Sequence, residues 1–159
     1  MFFTKEISEA MEHLTTTGAF LTVKGGAAVN TMTISWGYIG LMWAKPIFIA
    51  VVRPQRHTKS LLDVASDFTV SVPYGTMQSE LDICGTKTGA DTDKGAIVSF
   101  IPAKGTISPI VAGCDMYFEC AIKYADRMNI EKAGRDVRSF YNNDCHFQYF
   151  GEITKVYGK

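Results

Sequence analysis

The chain has 159 residues, enough for one domain with a core of its own, and no Ser/Pro-rich linker or composition break argues for two, so residues 1–159 read as a single unit. Sixteen Lys plus Arg offset sixteen Asp plus Glu, which leaves no basic field to recruit nucleic acid or an anionic membrane; any anion site must be local. No stretch reaches the ~18 apolar residues of a membrane span, and Phe2-Phe3-Thr4-Lys5-Glu6 lacks the basic and apolar regions of an export signal, so a cytoplasmic protein is expected.

In chain order, Ile7, Met11 and Leu14 recur at helical spacing behind Thr4, an N-cap candidate, and Gly18 is placed to end the helix. Ala19 to Lys24 and Ala27 to Trp36 then flank Gly25-Gly26, a two-residue loop of the kind that closes a hairpin. After Lys45-Pro46, the run Ile47-Phe48-Ile49-Ala50-Val51-Val52 has the length and composition of a strand buried on both faces, which places it centrally in a sheet. Leu61, Leu62 and Ala65 suit a short helix opening near Thr58, and Phe68 to Val72 returns to strand composition. Ser79 to Gly95 carries Gly85, Gly89 and Gly95 among Thr and Asp residues and reads as a long polar binding loop. Met116 to Tyr124 and His146 to Val156 alternate polar and apolar residues, as strands do. Six or more strands with two subordinate helices predict a mainly β fold, a β-barrel with peripheral helices.

Cys84, Cys114, Cys120 and Cys145 form no Cys-x-x-Cys pair and no zinc spacing with His13, His57 or His146, so free structural thiols are expected and no metal site. Cys145 and His146 are strand neighbours whose side chains alternate faces, which argues against a thiolate–imidazole pair. Asp115, Glu119 and Glu152 lack a carboxylate partner for acid–base hydrolysis. No catalytic side chain is assigned.

Arg53, Arg56, His57 and Lys59 form the densest cationic cluster, directly after the buried run and around the start of a helix. A guanidinium forks onto phosphate oxygens, a helix start offers free N–H groups, and Thr58 adds a hydroxyl; the same composition also suits a solvated turn. Asn30, Thr31, Thr33 and Ser35 interrupt a strand-like segment, either as a face turned to solvent or as donors along a planar heterocycle.

Five segments in order carry a resemblance that covers nearly the whole chain. They are Asn30-Thr31-Met32-Thr33-Ile34-Ser35-Trp36-Gly37 with Lys45-Pro46, then Arg53-Pro54-x-Arg56-His57-Thr58, Phe68-Thr69-Val70-Ser71, Gly85-Thr86-Lys87-Thr88-Gly89-x-Asp91-x-Asp93-Lys94, and Tyr149-x-Gly151-Glu152-Ile153. Together they resemble the flavin reductase-like, FMN-binding split-barrel family that includes flavoredoxin. The resemblance implies a homodimeric split barrel holding FMN non-covalently near the subunit interface. It implies that Asn30, Thr31, Met32 and Thr33, with Ser35 and Trp36, line the flavin ring and ribityl chain. Arg53, Arg56, His57, Thr58 and Lys59 would take the phosphate, and Lys87 would approach the cofactor's charged end. The implied activity is an FMN-binding oxidoreductase passing hydride or electrons between a reduced donor, such as NAD(P)H, and a flavin or downstream acceptor. An electron carrier of flavoredoxin type, exchanging electrons with a redox partner protein, or a non-catalytic flavin-storage protein would use the same pocket. No Gly-x-Gly-x-x-Gly follows a strand, so no second dinucleotide site of Rossmann type is expected.

Overall fold

The computed structural model describes residues 4–159; Met1, Phe2 and Phe3, which enter the expectation about an export signal, lie outside the described residues. Helix α1 (Lys5–Thr16) begins where expected, with Thr4 Oγ1 accepting from the Ile7 N–H, and buries Ile7, Ala10 and Leu14. Gly18 follows at φ +100°, a left-handed turn that its missing Cβ makes accessible. Strands β1 (Ala19–Gly25) and β2 (Ala28–Ile34) form the predicted hairpin, but Gly25 pairs with Ala28, so the turn is Gly26-Ala27 rather than Gly25-Gly26. The two glycines do different things. Gly26 takes φ +61°, whereas a Cβ on Gly25 would sit 2.8 Å from the Leu61 carbonyl oxygen, so Gly25 lets a helix press onto the strand.

Strand β3 (Gly37–Met42), which composition alone did not mark, pairs with β4 (Lys45–Val52) through a turn in which Trp43 and Ala44 both have positive φ. Helix α2 (His57–Leu62) buries Leu61 and Leu62 and leads to β5 (Asp67–Val72), which is buried at every position. Phe68, Val70 and Val72 face the main core, while Asp67, Thr69 and Ser71 on the other face hydrogen-bond to segment 107–111. These three buried polar side chains of β5 therefore each have a partner.

The stretch read as a polar loop contains helix α3 (Gln78–Thr86) followed by a 3-10 turn at Lys94–Ala96. Gly85 misleads at the sequence level: a Cβ there would come 3.3 Å from Thr33 Cβ, so this glycine marks close packing of α3 on β2, not a loop. Strands β6 (Phe100–Ile101) and β7 (Ile110–Val111) make a small separate hairpin. Strand β8 (Met116–Arg127), the one-turn helix α4 (Arg135–Arg138) and β9 (Phe147–Gly158) complete the chain.

The large sheet is antiparallel in the order β2-β1-β5-β8-β9-β4-β3. The run at 47–52 is thus next to an edge rather than central, with β8 in the middle. Its Phe48, Ala50 and Val52 are buried in the main core all the same. Consecutive strands β2 and β3 form the two opposite edges, yet only Ser35 and Trp36 separate them. Three residue steps span at most ~11 Å, so the sheet must curl until its edges nearly meet. It curls into a barrel without pairing its edge strands β2 and β3 to each other, leaving a split at Ser35-Trp36. Register shifts in the β8–β9 ladder, between Glu119 and Cys120 and between Ile122 and Tyr124, supply the extra bend.

Inside, Leu21, Val23, Phe48, Phe68, Phe118 and Ile153 pack as one core, and burying each such side chain contributes ~1.5–3 kcal/mol. A second cluster around Phe20, Leu81, Val98 and Tyr117 fixes α3 and the β6–β7 hairpin to the outside. All four cysteines are buried and free. Among the described residues no helix is long and apolar enough to cross a membrane.

Candidate functional site

The split in the barrel opens a two-lobed cleft. The first lobe, about 230 Å³, is lined by Met32 to Trp36 at the end of β2 and by Val51 and Arg53 at the end of β4. Arg56 and His146 complete its wall. The second, about 200 Å³, lies between Asn30 on β2, the segment 55–58 at the start of α2, and Thr86 to Gly89 after α3. Met32 and Arg56 line both, so the lobes are contiguous. Neither alone reaches the ~300 Å³ at which small-molecule sites begin; joined, they do.

The lobes differ in chemistry. Trp36, half exposed, lies against His146 with ring centroids 5.4 Å apart, and Phe140 meets Trp36 edge-on at 5.8 Å. His146 is buried, its Nδ1 is 2.7 Å from the Tyr141 hydroxyl, and burial, then the nearby Arg53 charge, pushes its pKa down. The first lobe is thus a mainly apolar, aromatic-walled slot suited to a planar ring. The second is lined by Arg56, His57, Lys87 and Lys94, with no carboxylate in its wall. Its charge suits an anion.

Lys94 is the least expected member, quoted in the motif yet not assigned a role from sequence. Only 3% exposed, it donates from Nζ to the Thr31 and Cys84 carbonyl oxygens, each at 3.1 Å. Burial lowers its pKa; the Cys84 thiol raises it and the Arg56 charge lowers it again. Arg56 donates to the Gly85 oxygen at 2.7 Å and the Cys84 oxygen at 3.3 Å. Both cations satisfy carbonyls at the C-terminal end of α3, so the helix that sequence reading missed is what holds them in place.

The structure gathers Asn30, Met32, Thr33, Ser35, Trp36, Arg53, Arg56, His57, Thr58 and Lys87 around the cleft, but not all in the places assigned. Arg53 lines the aromatic lobe, not the cationic one, and is bound to Asp144 and to the Phe140 carbonyl. The Thr33 hydroxyl is held by the Leu81 carbonyl at 2.5 Å. Thr31 and Lys59 line neither lobe. The Thr31 hydroxyl turns into the sheet, 2.9 Å from Thr22 Oγ1, and Lys59 pairs with Asp63 at 2.6 Å over the Phe147 ring. Thr31 still contributes through its backbone, as a Lys94 acceptor. His146 sits at the cleft, whereas Tyr149 is buried away from it and donates to Asp63 Oδ1. Strand alternation and the His-x-x-Tyr spacing were the signals available for separating them.

A third, apolar cleft of about 310 Å³ shares Ser35, Trp36, Val51 and His146 with the aromatic lobe and adds Gly37, Tyr38, Met128 and Tyr141. No acidic or basic side chain other than the neutral-leaning His146 lines it.

The family described as flavin reductase like domain matches residues 11–159. An uncharacterised protein of Archaeoglobus fulgidus is 25% identical over 119 residues, covering 74% of this chain and 67% of that protein. The structure resembles flavoredoxin from Methanosarcina acetivorans with a TM-score of 0.72 at 19% identity, over 90% of this chain and 68% of that one. It also resembles the NADH:FAD oxidoreductase SgcE6 of Streptomyces globisporus C-1027, with a TM-score of 0.69 at 18% identity, over 90% and 75%. The chain spans about two thirds of the length of the first two of these proteins. At these identities the structural matches establish the fold, a split barrel of the flavin reductase-like kind.

Proposed function

The chain belongs to the flavin reductase-like domain family, and from that premise we propose that it is an FMN-dependent oxidoreductase that moves hydride or electrons between a reduced donor and a flavin or other acceptor. The observation that carries this reading is the contiguity of an apolar, aromatic slot with a carboxylate-free cationic lobe through Met32 and Arg56. A flavin mononucleotide has that division: a planar ring at one end and a phosphate monoester at the other.

In this reading Thr58, Lys87 and Lys94 hold the phosphate, with Arg56 as a fixed charge behind it and His57 at the rim. Met32, Trp36 and Val51 pack the ring and exclude water from one face of it. A bound flavin supplies hydride and single-electron chemistry; the protein supplies binding, orientation and electrostatics. The apolar cleft beyond Trp36 and His146 is where a nicotinamide or other acceptor ring would approach. Exposed Tyr38, Leu41, Met42 and Trp43 on edge strand β3 and its turn give a homodimer an apolar face to bury.

The deciding experiment is reconstitution with FMN followed by absorbance spectroscopy and steady-state oxidation of NADH and NADPH. Saturable FMN binding with nicotinamide turnover is expected; a colourless protein that takes up no FMN would sink the reading. The likeness to flavoredoxin supports a second reading, in which FMN stays bound and electrons pass to a protein partner. Reversible reduction of bound FMN by dithionite, without turnover of either nicotinamide, would favour it.

A further inference from the structure

One hydrogen bond in the cationic lobe has a direction set by its chemistry. Asn30 Nδ2 donates to Thr58 Oγ1 at 2.8 Å. An amide nitrogen has only hydrogens to offer, so Thr58 is the acceptor and its own O–H is left over. Asn30 is the only hydrogen-bond partner of that hydroxyl among the described residues. Both side chains are buried, at 4% and 1% exposure, and both line the lobe, so the lobe is the space into which the Thr58 hydrogen can donate. A buried hydroxyl left without an acceptor is costly, and an anion in the lobe would provide one.

Gly89 fixes the other side of the amide. A Cβ at this position would lie 2.2 Å from Asn30 Oδ1 and 2.6 Å from its Cγ. The Gly89 backbone therefore lies close beside the amide, in space that a side chain could enter only by displacing Asn30 from its place beside Thr58. The contact joins three elements, β2, α2 and the segment after α3, at one point in the lobe.

We propose that Asn30 is a positioning residue that presents the Thr58 hydroxyl as a donor to a terminal phosphate monoester, and that Gly89 is the specificity-determining position that keeps it so. The assignment of that ester as FMN rests on the functional reading above; the donor arrangement does not. Asn30 acts through Thr58 and adds nothing once the hydroxyl is gone.

A double-mutant cycle tests this, with FMN and riboflavin affinities read by fluorescence. Thr58→Val is expected to weaken FMN by about ten- to a hundredfold, the range of one charge-assisted hydrogen bond, and riboflavin by less than about twofold. Asn30→Ala should show the same FMN-selective loss, and the double variant should bind FMN no more weakly than Thr58→Val. Additive losses, or equal losses for riboflavin, would overturn the proposal. Asn30→Asp keeps the size but reverses the bond, drawing the Thr58 hydrogen inward, so its FMN loss should exceed that of Asn30→Ala; an equal or smaller loss counts against it. Gly89→Ala should mimic Asn30→Ala. If Asn30→Ala fails to fold, Thr58→Ser against Thr58→Val carries the test, since only the serine keeps the donor. Should the wild type bind neither flavin, the flavin reading fails while phenyl phosphate still probes the donor pair. Line broadening of its phosphorus resonance should then occur with wild type and diminish in both single variants. Broadening that ignores both variants, or none with wild type, would overturn the proposal itself.

Discussion

Arg53 Nη1 donates to Asp144 Oδ2 at 2.5 Å, tying the end of β4 to the segment that precedes β9, 91 residues away in sequence. The same guanidinium donates to the Phe140 carbonyl and lies 5.2 Å from the Tyr141 ring centroid. Its charge is thus committed at the rim of the aromatic lobe. Arg53→Ala should therefore weaken FMN and riboflavin by similar factors, because it loosens the wall around the ring rather than the phosphate. Isothermal titration of both flavins checks this; selective loss of FMN would return Arg53 to the phosphate.

Asp144 has its pKa held down to about 2, first by the Asn142 N–H and then by Arg53. A depressed carboxylate contributes stability that is present above its unfolded value of ~3.9 and is lost as pH falls through the folded one. The rim contact should accordingly survive to about pH 2. In Arg53→Ala the Asp144 titration should move upward yet stop short of ~3.9, since the Asn142 N–H remains. A carboxyl-carbon NMR titration reads both values.

Lys94 shifts the opposite way for stability. Its folded pKa is lowered, mainly by burial, so the unfolded chain holds more protons between that value and ~10.4. The Lys94 contribution to stability should rise with pH across this window as the buried ammonium loses its proton, against the opposite contribution of the Cys84 and Cys120 thiols, whose pKa values burial raises. A bound phosphate favours the charged form, so FMN should flatten the rise and itself bind more weakly as pH climbs. Thermal melts with and without FMN over the alkaline range test the sign. Lys94→Met should remove this rising contribution, leaving a steeper alkaline loss of stability than in the unmodified protein, and cost FMN at least tenfold in affinity.

Gly151 and Phe68 explain one part of the last sequence segment without reference to any ligand. A Cβ on Gly151 would sit 2.6 Å from both Phe68 Cζ and Cys120 Cβ, so only glycine lets β9 pass over that ring. Gly151→Ala is expected to destabilise the protein by ~1–3 kcal/mol through overpacking. Urea unfolding measures it, and FMN affinity of the folded fraction should stay within about twofold.

Tyr149, in the same segment, donates to Asp63 at 2.7 Å. Burial pushes the Asp63 carboxyl up, but the bonds from Lys59 and Tyr149 more than offset this and leave its pKa lowered. Tyr149→Phe should cost ~1 kcal/mol of stability, a little more if Asp63 is left partly unpaired, with no change in flavin affinity. A change in flavin spectrum or affinity would contradict its placement away from the cleft.

Local chemistry carried much of this protein in its sequence. Thr4 and Gly18 bracket α1, the alternation in β9 follows from period-two burial, whereas β8 is buried continuously from Met116 to Cys120 and does not alternate, and the ordered segments from Asn30 to Ile153 named the family that the match over residues 11–159 bears out. Those signals are short-range, so a linear reading reaches them. What it did not reach were α3, whose Gly85 reflects contact with Thr33 across the fold, and β3, a short edge strand with little burial to pattern it. Nor could it say which cations are free. Arg53, Lys59 and Arg56 look alike within seven residues of sequence, yet one is held by Asp144, one by Asp63 and one by the carbonyls of α3. A charge is spent or available according to the partner beside it, and those partners arrive only when the sheet curls and brings distant segments to the split.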